Sequence, residues 1–258
     1  MIFGVSGQDG SYLAERLLGK GYVVFGVSRD AELSSFANLR RLGICGRVKL
    51  LSAAANDFRS VLNAIVKAEP DEIYNLSGQS SVGLSFEQPA ETLDSISVGT
   101  LNLLEAIRFI NPGIRFYSAS STECFGHTGD CPANEGTPFR PRSPYAVAKA
   151  ASFWQVVNYR EAYGMYACSG ILANHESPLR PVRFVTRKIV VAACRIAQGM
   201  PETLELGNLE IVRGWGWAPD YVDAMWRILQ HPEPADFVVA TGKSHSLQEF
   251  VAKAFERL

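Results

Sequence analysis

Short β-type runs alternate with amphipathic stretches over most of this 258-residue chain. The runs are rich in β-branched and aromatic residues and lie at 22–28, 47–51, 72–77, 115–120, 166–173 and 237–241. The stretches between them place apolar residues at helical spacing and end at glycine or proline. Strands that alternate with helices pair in parallel and are covered by helices on both faces. The sequence therefore predicts an α/β fold built on a doubly wound parallel sheet.

A glycine-rich loop, GVSGQDG, opens the chain ahead of the helical pattern SYLAERLL. Gly4, Gly7 and Gly10 allow a tight turn and a close approach of the backbone to a ligand, and the helix start attracts phosphate. Gln8 and Asp9 lie within the same loop. Glycine triplets also collect in ordinary turns, but here the strand pattern favours a Rossmann-type dinucleotide site.

The end of the next strand, VSRD, bears on which dinucleotide binds. Ser28 stands where an NAD-binding chain usually has an acid for the ribose hydroxyls, and Arg29 follows it. A small hydroxyl residue and an arginine suit a ribose 2′-phosphate. We therefore predict NADP rather than NAD, although Asp30 could simply pair with Arg29.

The last third of the chain is less regular. HESPLRPVRF is followed by a helical pattern from about Thr186 to Gly199 and by a loop rich in tryptophan and glycine, VRGWGWAPDYV. We expect this part to form a smaller C-terminal lobe over one edge of the sheet. The predicted division is a dinucleotide-binding domain at 1–173, to which 215–245 return, and a mainly substrate-binding lobe at 174–258.

Both ends of the chain look clipped. Only Met1 to Phe3 precede the first glycine, which is too little for the strand that such a loop should follow. At the other end, SLQEFVAKAFERL is still helical in pattern at the last residue. We therefore expect missing structure at both ends, with the C-terminal lobe truncated.

Composition narrows the compartment and the partners. Lys and Arg total 25 against 26 Asp and Glu, so no excess charge favours nucleic acid or an anionic membrane. No apolar run reaches the roughly 18 residues that span a bilayer. The five cysteines are odd in number and lack CxxC spacing, which indicates a reducing compartment, by default the cytoplasm. The histidines show no metal-ligand spacing, so we predict no metal site.

SPYAVAK, at 143–149, is the second chemical motif. Ser143 and Pro144 are typical of a helix start, which puts Tyr145 and Lys149 one turn apart on one face. A lysine beside a phenol stabilises the phenolate and lowers its pKa, so the tyrosine can act as a base. The alternative is a surface tyrosine beside a solvated lysine. The glycine loop and the strand pattern favour the catalytic interpretation.

Together, the glycine loop, the strand–helix alternation and YxxxK resemble the extended short-chain dehydrogenase/reductase superfamily. Further blocks resemble its GDP-mannose 4,6-dehydratase family: GQDGSYLAE (7–15), EIYNL (72–76), PRSPYAVAK (141–149), VNYREAYG (157–164), NHESP (174–178), FVTRKI (184–189), LGNL (206–209) and DYVDAMW (220–226). They extend over almost the whole chain. The resemblance implies a lyase with bound NADP that converts GDP-mannose to GDP-4-keto-6-deoxymannose.

The resemblance also gives a role to SASSTECFG (118–126). Dehydratases of this superfamily carry a hydroxyl residue, one spacer and a glutamate at this strand end, which Ser121, Thr122 and Glu123 match. Tyr145, as a phenolate assisted by Lys149 and Ser121, is expected to deprotonate the sugar 4-hydroxyl while hydride passes from carbon 4 to NADP. Glu123 is expected to take the proton on carbon 5 and help water leave carbon 6, after which hydride returns to carbon 6.

The same resemblance implies the remaining contacts. Asn174, Lys188 and Arg213 are candidates for the diphosphate of the substrate, and Thr122 is a further substrate-binding candidate. Leu76 is expected to contact the cofactor beside the glycine loop, together with the tyrosine and lysine of YxxxK.

Some positions depart from the family pattern and put the sugar in question. Gly214 stands where RDWG has its acid, and QSSVGLSF (79–86) lacks the histidine and lysine of QSHVKVSF near the sugar pocket. A GDP-linked manno-heptose is therefore an alternative to GDP-mannose. A keto-sugar-nucleotide reductase or epimerase would leave Glu123 without a role. A non-catalytic NADP sensor or subunit would need neither Glu123 nor the YxxxK pair.

The resemblance further implies a homodimer or homotetramer joined around the helix of Tyr145. Apolar residues that follow this tyrosine fit either such an interface or the core: Phe153, Trp154, Val157 and Tyr159.

Overall fold

The computed structural model describes residues 1–129 and 131–257. Within these residues, seven strands form the central sheet: β1 (Ile2–Phe3), β2 (Phe25–Ser28), β3 (Lys49–Ser52), β4 (Glu72–Asn75), β5 (Arg115–Ser121), β6 (Ala167–Leu172) and β10 (Phe237–Val239). All neighbours pair in parallel, in the order β10-β6-β5-β4-β1-β2-β3. The predicted doubly wound sheet is confirmed.

Helices follow the strands, and two small sheets lie outside the large one. The helices are α1 (Gln8–Gly19), α2 (Ala37–Arg41), α3 (Phe58–Ala68), α4 (Val82–Glu87), α5 (Pro89–Leu93), α6 (Gly99–Ile110), α7 (Pro144–Tyr163), α8 (Val185–Ala197), α9 (Ala218–Gln230) and α10 (Leu247–Phe255). The small sheets pair β7 (Asn174–Glu176) in parallel with β9 (Trp215–Trp217), and β8 (Val212–Arg213) antiparallel with β11 (His245–Ser246). Because β10 joins the large sheet, the chain returns to it after β9.

The core lies on both faces of the sheet because successive strand residues point in opposite directions. In β4, Ile73 packs with apolar residues of α3 and α6, whereas Tyr74 packs with those of α1 and α9. Phe116 and Tyr117 of β5 divide in the same way. Strands buried on both faces have continuous apolar sequences, which is why these strands could be predicted.

The first strand corrects one expectation. Residues 1–3 looked too few for a strand, yet Ile2 and Phe3 form β1 in the middle of the sheet. β1 pairs with β2 on one side and with β4 on the other. Gly4 then turns the chain with a φ of +83°, where a Cβ would lie 2.6 Å from the carbonyl oxygen of Leu76.

The predicted strand and helix ends are close to the observed ones. The largest strand difference is at β2, which begins at Phe25 instead of residue 22. The backbone N–H of Tyr22 donates to the carbonyl of Leu17 at 3.0 Å, so this residue still belongs to the turn that ends α1. The helix predicted from about 186 to 199 is α8.

The apolar residues after Tyr145 divide between core and surface. Phe153 and Tyr159 are buried, Val157 is half-buried, and Trp154 is 58% exposed. Phe153 packs with Phe125 against β6. Two of the four candidates for a subunit interface are therefore core residues of this chain.

Candidate active site

The end of β5 holds Glu123 in a tight turn. The Oγ of Ser121 accepts a hydrogen bond of 3.2 Å from the backbone N–H of Glu123 and so caps a 3-10 turn that extends from Thr122 to Phe125. Gly126 follows with a φ of +64°, and a Cβ there would clash with the carbonyl oxygen of Arg140. The turn fixes where the backbone presents Glu123, at the carboxyl edge of the sheet.

The start of α7 places the tyrosine and lysine as predicted. The Oγ of Ser143 accepts a hydrogen bond from the N–H of Ala146 at 3.1 Å, which caps the helix. The Nζ of Lys149 lies 5.9 Å from the centre of the Tyr145 ring and donates to the carbonyl of Ala119 at 2.7 Å. Because Ala119 is in β5, this bond ties α7 to the strand that leads to Glu123.

Burial sets the protonation of these groups. It raises the pKa of Tyr145 to about 12. The charge of Glu123 adds to this rise, whereas the hydrogen bond with Ser121 lowers the pKa. Burial also lowers the pKa of Lys149 to about 8. The expected lowering of the tyrosine pKa by Lys149 is therefore wrong: the groups that lower this pKa are Ser121 and Arg180, and desolvation outweighs them.

A cavity of about 330 Å³ brings the candidate groups together. The predicted site residues that line it are Asp9, Leu76, Ser121, Glu123, Tyr145, Lys149 and Asn174. They come from the glycine loop, the ends of β4 and β5, the start of α7 and the start of β7. Carboxyl ends of parallel strands meet at one edge of a sheet, where such folds bind ligands.

Several charged residues of this cavity were not predicted from the sequence. Glu176, Arg180 and Arg183 line it. Glu176 forms an ion pair with Arg180 at 3.3 Å and accepts a hydrogen bond from Thr186 at 2.7 Å. Arg183 contacts the hydroxyl of Ser80 at 3.4 Å. The sequence feature that could have indicated them is the number of charged residues in HESPLRPVRF, the segment directly after Asn174.

Three predicted substrate residues lie outside the cavity lining. The Nζ of Lys188 donates to the carbonyl of Glu205 at 2.6 Å, and Arg213 donates to the carbonyl of Val212 at 2.9 Å. Both side chains are exposed. Thr122 is not among the lining residues either. Their roles stay predictions.

The glycine loop has the form of an anion site. The N–H of Gly7 donates to the carbonyl of Gly4 at 3.1 Å, and a Cβ on Gly10 would clash with that same carbonyl. No side chain caps α1. In the described part of the chain, the backbone N–H groups of Gln8, Asp9 and Gly10 form no hydrogen bond to a backbone carbonyl. Three free N–H groups at a helix start fit a diphosphate.

The end of β2 leaves one arginine available. Ser28 and Ser34 share a hydrogen bond of 2.8 Å between their hydroxyls. The carboxylate of Asp30 accepts hydrogen bonds from the backbone N–H groups of Glu32 and Leu33, each at 2.9 Å. Asp30 is thus occupied by its own turn, and among the described residues Arg29 has no ion-pair partner.

None of the helices in residues 1–129 and 131–257 is long and apolar enough to cross a membrane. In the same residues, no three side chains of His, Cys, Asp and Glu come together as a metal site would require.

Sequence comparison decides the family. The family model described as GDP-mannose 4,6 dehydratase matches residues 1–258. The chain belongs to this family. A GDP-mannose 4,6 dehydratase of Drosophila melanogaster is 48% identical over 266 residues, which cover 100% of this chain and 67% of that relative.

Solved structures share the fold. UDP-glucose 4-epimerase of Thermus thermophilus, in complex with NAD, superposes with a TM-score of 0.85 at 27% identity, over 99% of this chain and 81% of the other. RMD of Pseudomonas aeruginosa, complexed with NADPH, gives a TM-score of 0.80 at 25% identity, over 97% and 81%. The fold of this dehydratase family member is thus shared with a UDP-glucose 4-epimerase and with RMD.

Proposed function

We propose that this protein is an NADP-dependent lyase that converts GDP-mannose to GDP-4-keto-6-deoxymannose. The observation that carries the proposal is Glu123, which lies in the same cavity as Tyr145 and Lys149, in a chain of the GDP-mannose 4,6-dehydratase family. A reductase or epimerase needs the tyrosine and the lysine alone. A carboxylate beside them adds a base for carbon 5 and an acid for the hydroxyl on carbon 6.

Four side chains carry the proton transfers. Tyr145 takes the proton of the sugar 4-hydroxyl, and Ser121 holds that hydroxyl by a hydrogen bond. Lys149, protonated below its pKa of about 8, stabilises the negative charge on the phenol oxygen. Glu123 takes the proton from carbon 5 and gives it to the hydroxyl that leaves carbon 6, so the C–H and C–O bonds break and one water is released. The nicotinamide cofactor, held by the residues named below, would supply reversible hydride transfer at carbons 4 and 6, and carbon 5 would regain a proton as Tyr145 gives up the one that it took.

We assign the cofactor to the glycine loop and its neighbours. The residues proposed to hold it are Gly4, Gly7, Gln8, Asp9, Gly10, Ser28, Arg29, Leu76, Tyr145 and Lys149. The free N–H groups at the start of α1 fit the diphosphate. Arg29, with no carboxylate partner in the described chain, supports a ribose 2′-phosphate and hence NADP.

We assign the substrate mainly to residues 174–258 and the cofactor to 1–173, with 215–245 returning to the sheet. Asn174, which lines the cavity, is proposed to bind the diphosphate of the GDP-sugar. Thr122, Lys188 and Arg213 remain proposed substrate contacts on the strength of the family pattern alone. We further propose a cytoplasmic homodimer or homotetramer.

The test is incubation of the purified protein with GDP-mannose and no added cofactor, followed by mass spectrometry of the sugar nucleotide. Loss of one water, abolished by Glu123→Gln, is the expected result. Water loss from a GDP-linked manno-heptose alone would keep the mechanism and change the substrate. No water loss from either sugar, with NADP found in the protein, would leave a reductase or a sensor.

A further inference from the structure

A buried polar cluster joins the glycine loop to β7. We call it the junction cluster, and its members are Gln8, Asp9, His175, Ser177 and Tyr221. His175, only 7% exposed, is at its centre. Its Nε2 lies 2.9 Å from a carboxylate oxygen of Asp9, and its ring stacks on that of Tyr221 with 4.3 Å between ring centres. The cluster therefore has a tightly defined geometry.

Both ring nitrogens of His175 face acceptors. Nδ1 lies 2.8 Å from the carbonyl oxygen of Ala173, and Nε2 faces the carboxylate of Asp9. Neither a carbonyl nor an ionised carboxylate can donate, and a neutral imidazole donates from one nitrogen only. Both hydrogen bonds therefore form at once when His175 is a cation. The pair is then an imidazolium facing a carboxylate.

The electrostatics agree with this geometry. Burial lowers the pKa of His175, but the charge of Asp9 and its hydrogen bond outweigh burial and hold that pKa above its usual value. Burial likewise raises the pKa of Asp9, and His175 more than offsets it. Arg180 is the other cation that acts on both, and Glu176 balances it at 3.3 Å. The Asp9–His175 pair is thus close to neutral as a unit.

Asp9 places a carboxylate where an anionic ligand would bind. It is the second residue of α1, beside the three free N–H groups that fit a diphosphate. An uncompensated negative charge there would repel a dinucleotide diphosphate strongly in a half-buried site. The only ion pair of Asp9 in the described chain is with His175, which comes from the substrate side of the cavity.

We propose that His175 is the counterion that allows Asp9 to lie in the diphosphate site, so that β7 completes the binding site of the anionic dinucleotide. This inference rests on the proposed cofactor site. His175 is a positioning residue, since it acts through Asp9 and not on the reacting atoms. Its function is to cancel one charge at the place where the cofactor brings two.

The cluster also links the cofactor site to the substrate site. The side-chain N–H of Gln8 donates to the carbonyl of His175 at 3.2 Å, and Ser177 donates to the side chain of Gln8 at 2.8 Å. Asn174, the proposed diphosphate ligand of the substrate, precedes His175 in β7. The side chain of Gln8 therefore joins the proposed cofactor site to the strand that carries Asn174.

The test is a series of variants that remove one or both charges of the pair. For each variant, the dissociation constant for NADP is measured by titration calorimetry on protein freed of nucleotide. His175→Gln leaves Asp9 charged and is expected to raise the dissociation constant at least about tenfold. Asp9→Asn with His175→Gln removes both charges and is expected to bring it back to within about threefold of the wild type. His231→Gln, at an exposed histidine, is the matched control and is expected to bind as the wild type does.

A purely structural role gives the opposite pattern, because the double variant then binds as weakly as His175→Gln or more weakly. That result overturns the inference, as does unchanged affinity in His175→Gln. Where wild-type protein still removes water from GDP-mannose, the proposed function stands without the inference. A wild type that binds no NADP would overturn both.

A second measurement follows the affinity for NADP as a function of pH in the wild type and in Asp9→Asn. As pH rises through the pKa of His175, the ring loses its proton and Asp9 becomes uncompensated, so wild-type affinity for NADP is expected to fall. Asp9→Asn has no charge to expose and is expected to lack this step, which separates it from titration of the cofactor phosphate. An identical pH profile in the two proteins would contradict the proposal.

Discussion

The two walls of the cavity are built in different ways. We call the end of β5 the catalytic wall, after its proposed role. Its residues pair with six residues of β6 and four of β4, and the 20-residue helix α7 backs it. The opposite wall rests on β7, which pairs with three residues of β9, and on the irregular segment before α8. The first wall keeps atoms in fixed places, whereas the second can change its side chains without disturbing the sheet.

The walls also differ in how they carry charge. Lys149 is buried and Tyr145 is half-buried, and desolvation shifts the pKa of each, to about 8 and about 12. Arg183 on the other side is exposed. Changes in the catalytic wall should therefore alter rate and stability, and changes in the opposite wall should alter affinity.

The largest expected effect is at Glu123. Glu123→Gln keeps the size of the side chain and removes the base, so water loss is expected to slow by about 10²–10⁴-fold. Oxidation at carbon 4 does not need this residue. Reduced nicotinamide should therefore appear on addition of GDP-mannose and persist, as followed by its absorbance.

The same variant discriminates between explanations. Equal loss of oxidation and of water release would mean that Glu123 positions the substrate instead of moving a proton. Ser121→Thr, which keeps the hydroxyl, is the control and is expected to retain most activity.

The next effect is on stability. Lys149→Met removes a buried charge and is expected to stabilise the fold by about 1–3 kcal/mol at pH 7. The folded pKa of Lys149 is about 8, below the unfolded value of about 10.4. The charged group is therefore destabilising below pH 8, and this penalty fades as pH rises toward the unfolded pKa.

Urea unfolding at several pH values measures this difference. The gap between the two proteins should narrow between pH 8 and about 10.4. Lys188→Met, at an exposed lysine outside the cavity lining, should change stability by less than about 0.5 kcal/mol at every pH. A Lys149→Met protein less stable than the wild type would show that the bond to the carbonyl of Ala119 outweighs burial.

A smaller effect is expected at Arg183. Arg183 lines the cavity, donates to the hydroxyl of Ser80 at 3.4 Å and lies over the Phe184 ring at 5.2 Å. In the described part of the chain it has no ion-pair partner, so it is able to contact an anionic substrate. Arg183→Ala is expected to raise KM for GDP-mannose about tenfold with little change in kcat. Arg213→Ala, at a residue outside the lining, should change KM less. A larger rise in KM for Arg213→Ala than for Arg183→Ala would instead favour Arg213 as the substrate contact, as the family pattern implies.

The catalytic wall could be predicted from sequence, and the opposite wall only in part. Ser143 and Pro144 mark a helix start, and helical spacing then fixes where Tyr145 and Lys149 point. No such periodicity connects Asn174 to Arg183, since an irregular segment has no spacing rule. The role of His175 could not be predicted for another reason. Its partner Asp9 is 166 residues away in the chain, and only the fold brings the two together.

The smallest effect tests whether exposure, and not position in the sheet, sets the size of a charge effect. Arg29 follows β2 of the large sheet but is exposed like the cations of the opposite wall. Water and salt screen such a charge, so Arg29→Ala should weaken NADP binding by no more than about fivefold. Binding of NAD, which lacks the 2′-phosphate, should be unchanged, and Arg59→Ala on α3 serves as the control.

A loss much larger than fivefold would mean that the bound 2′-phosphate excludes water from Arg29, and an equal loss for NAD would assign Arg29 to another part of the cofactor. Raising the salt concentration should reduce the difference between Arg29→Ala and the wild type, because exposed charges are screened within about 10 Å at 0.1 M.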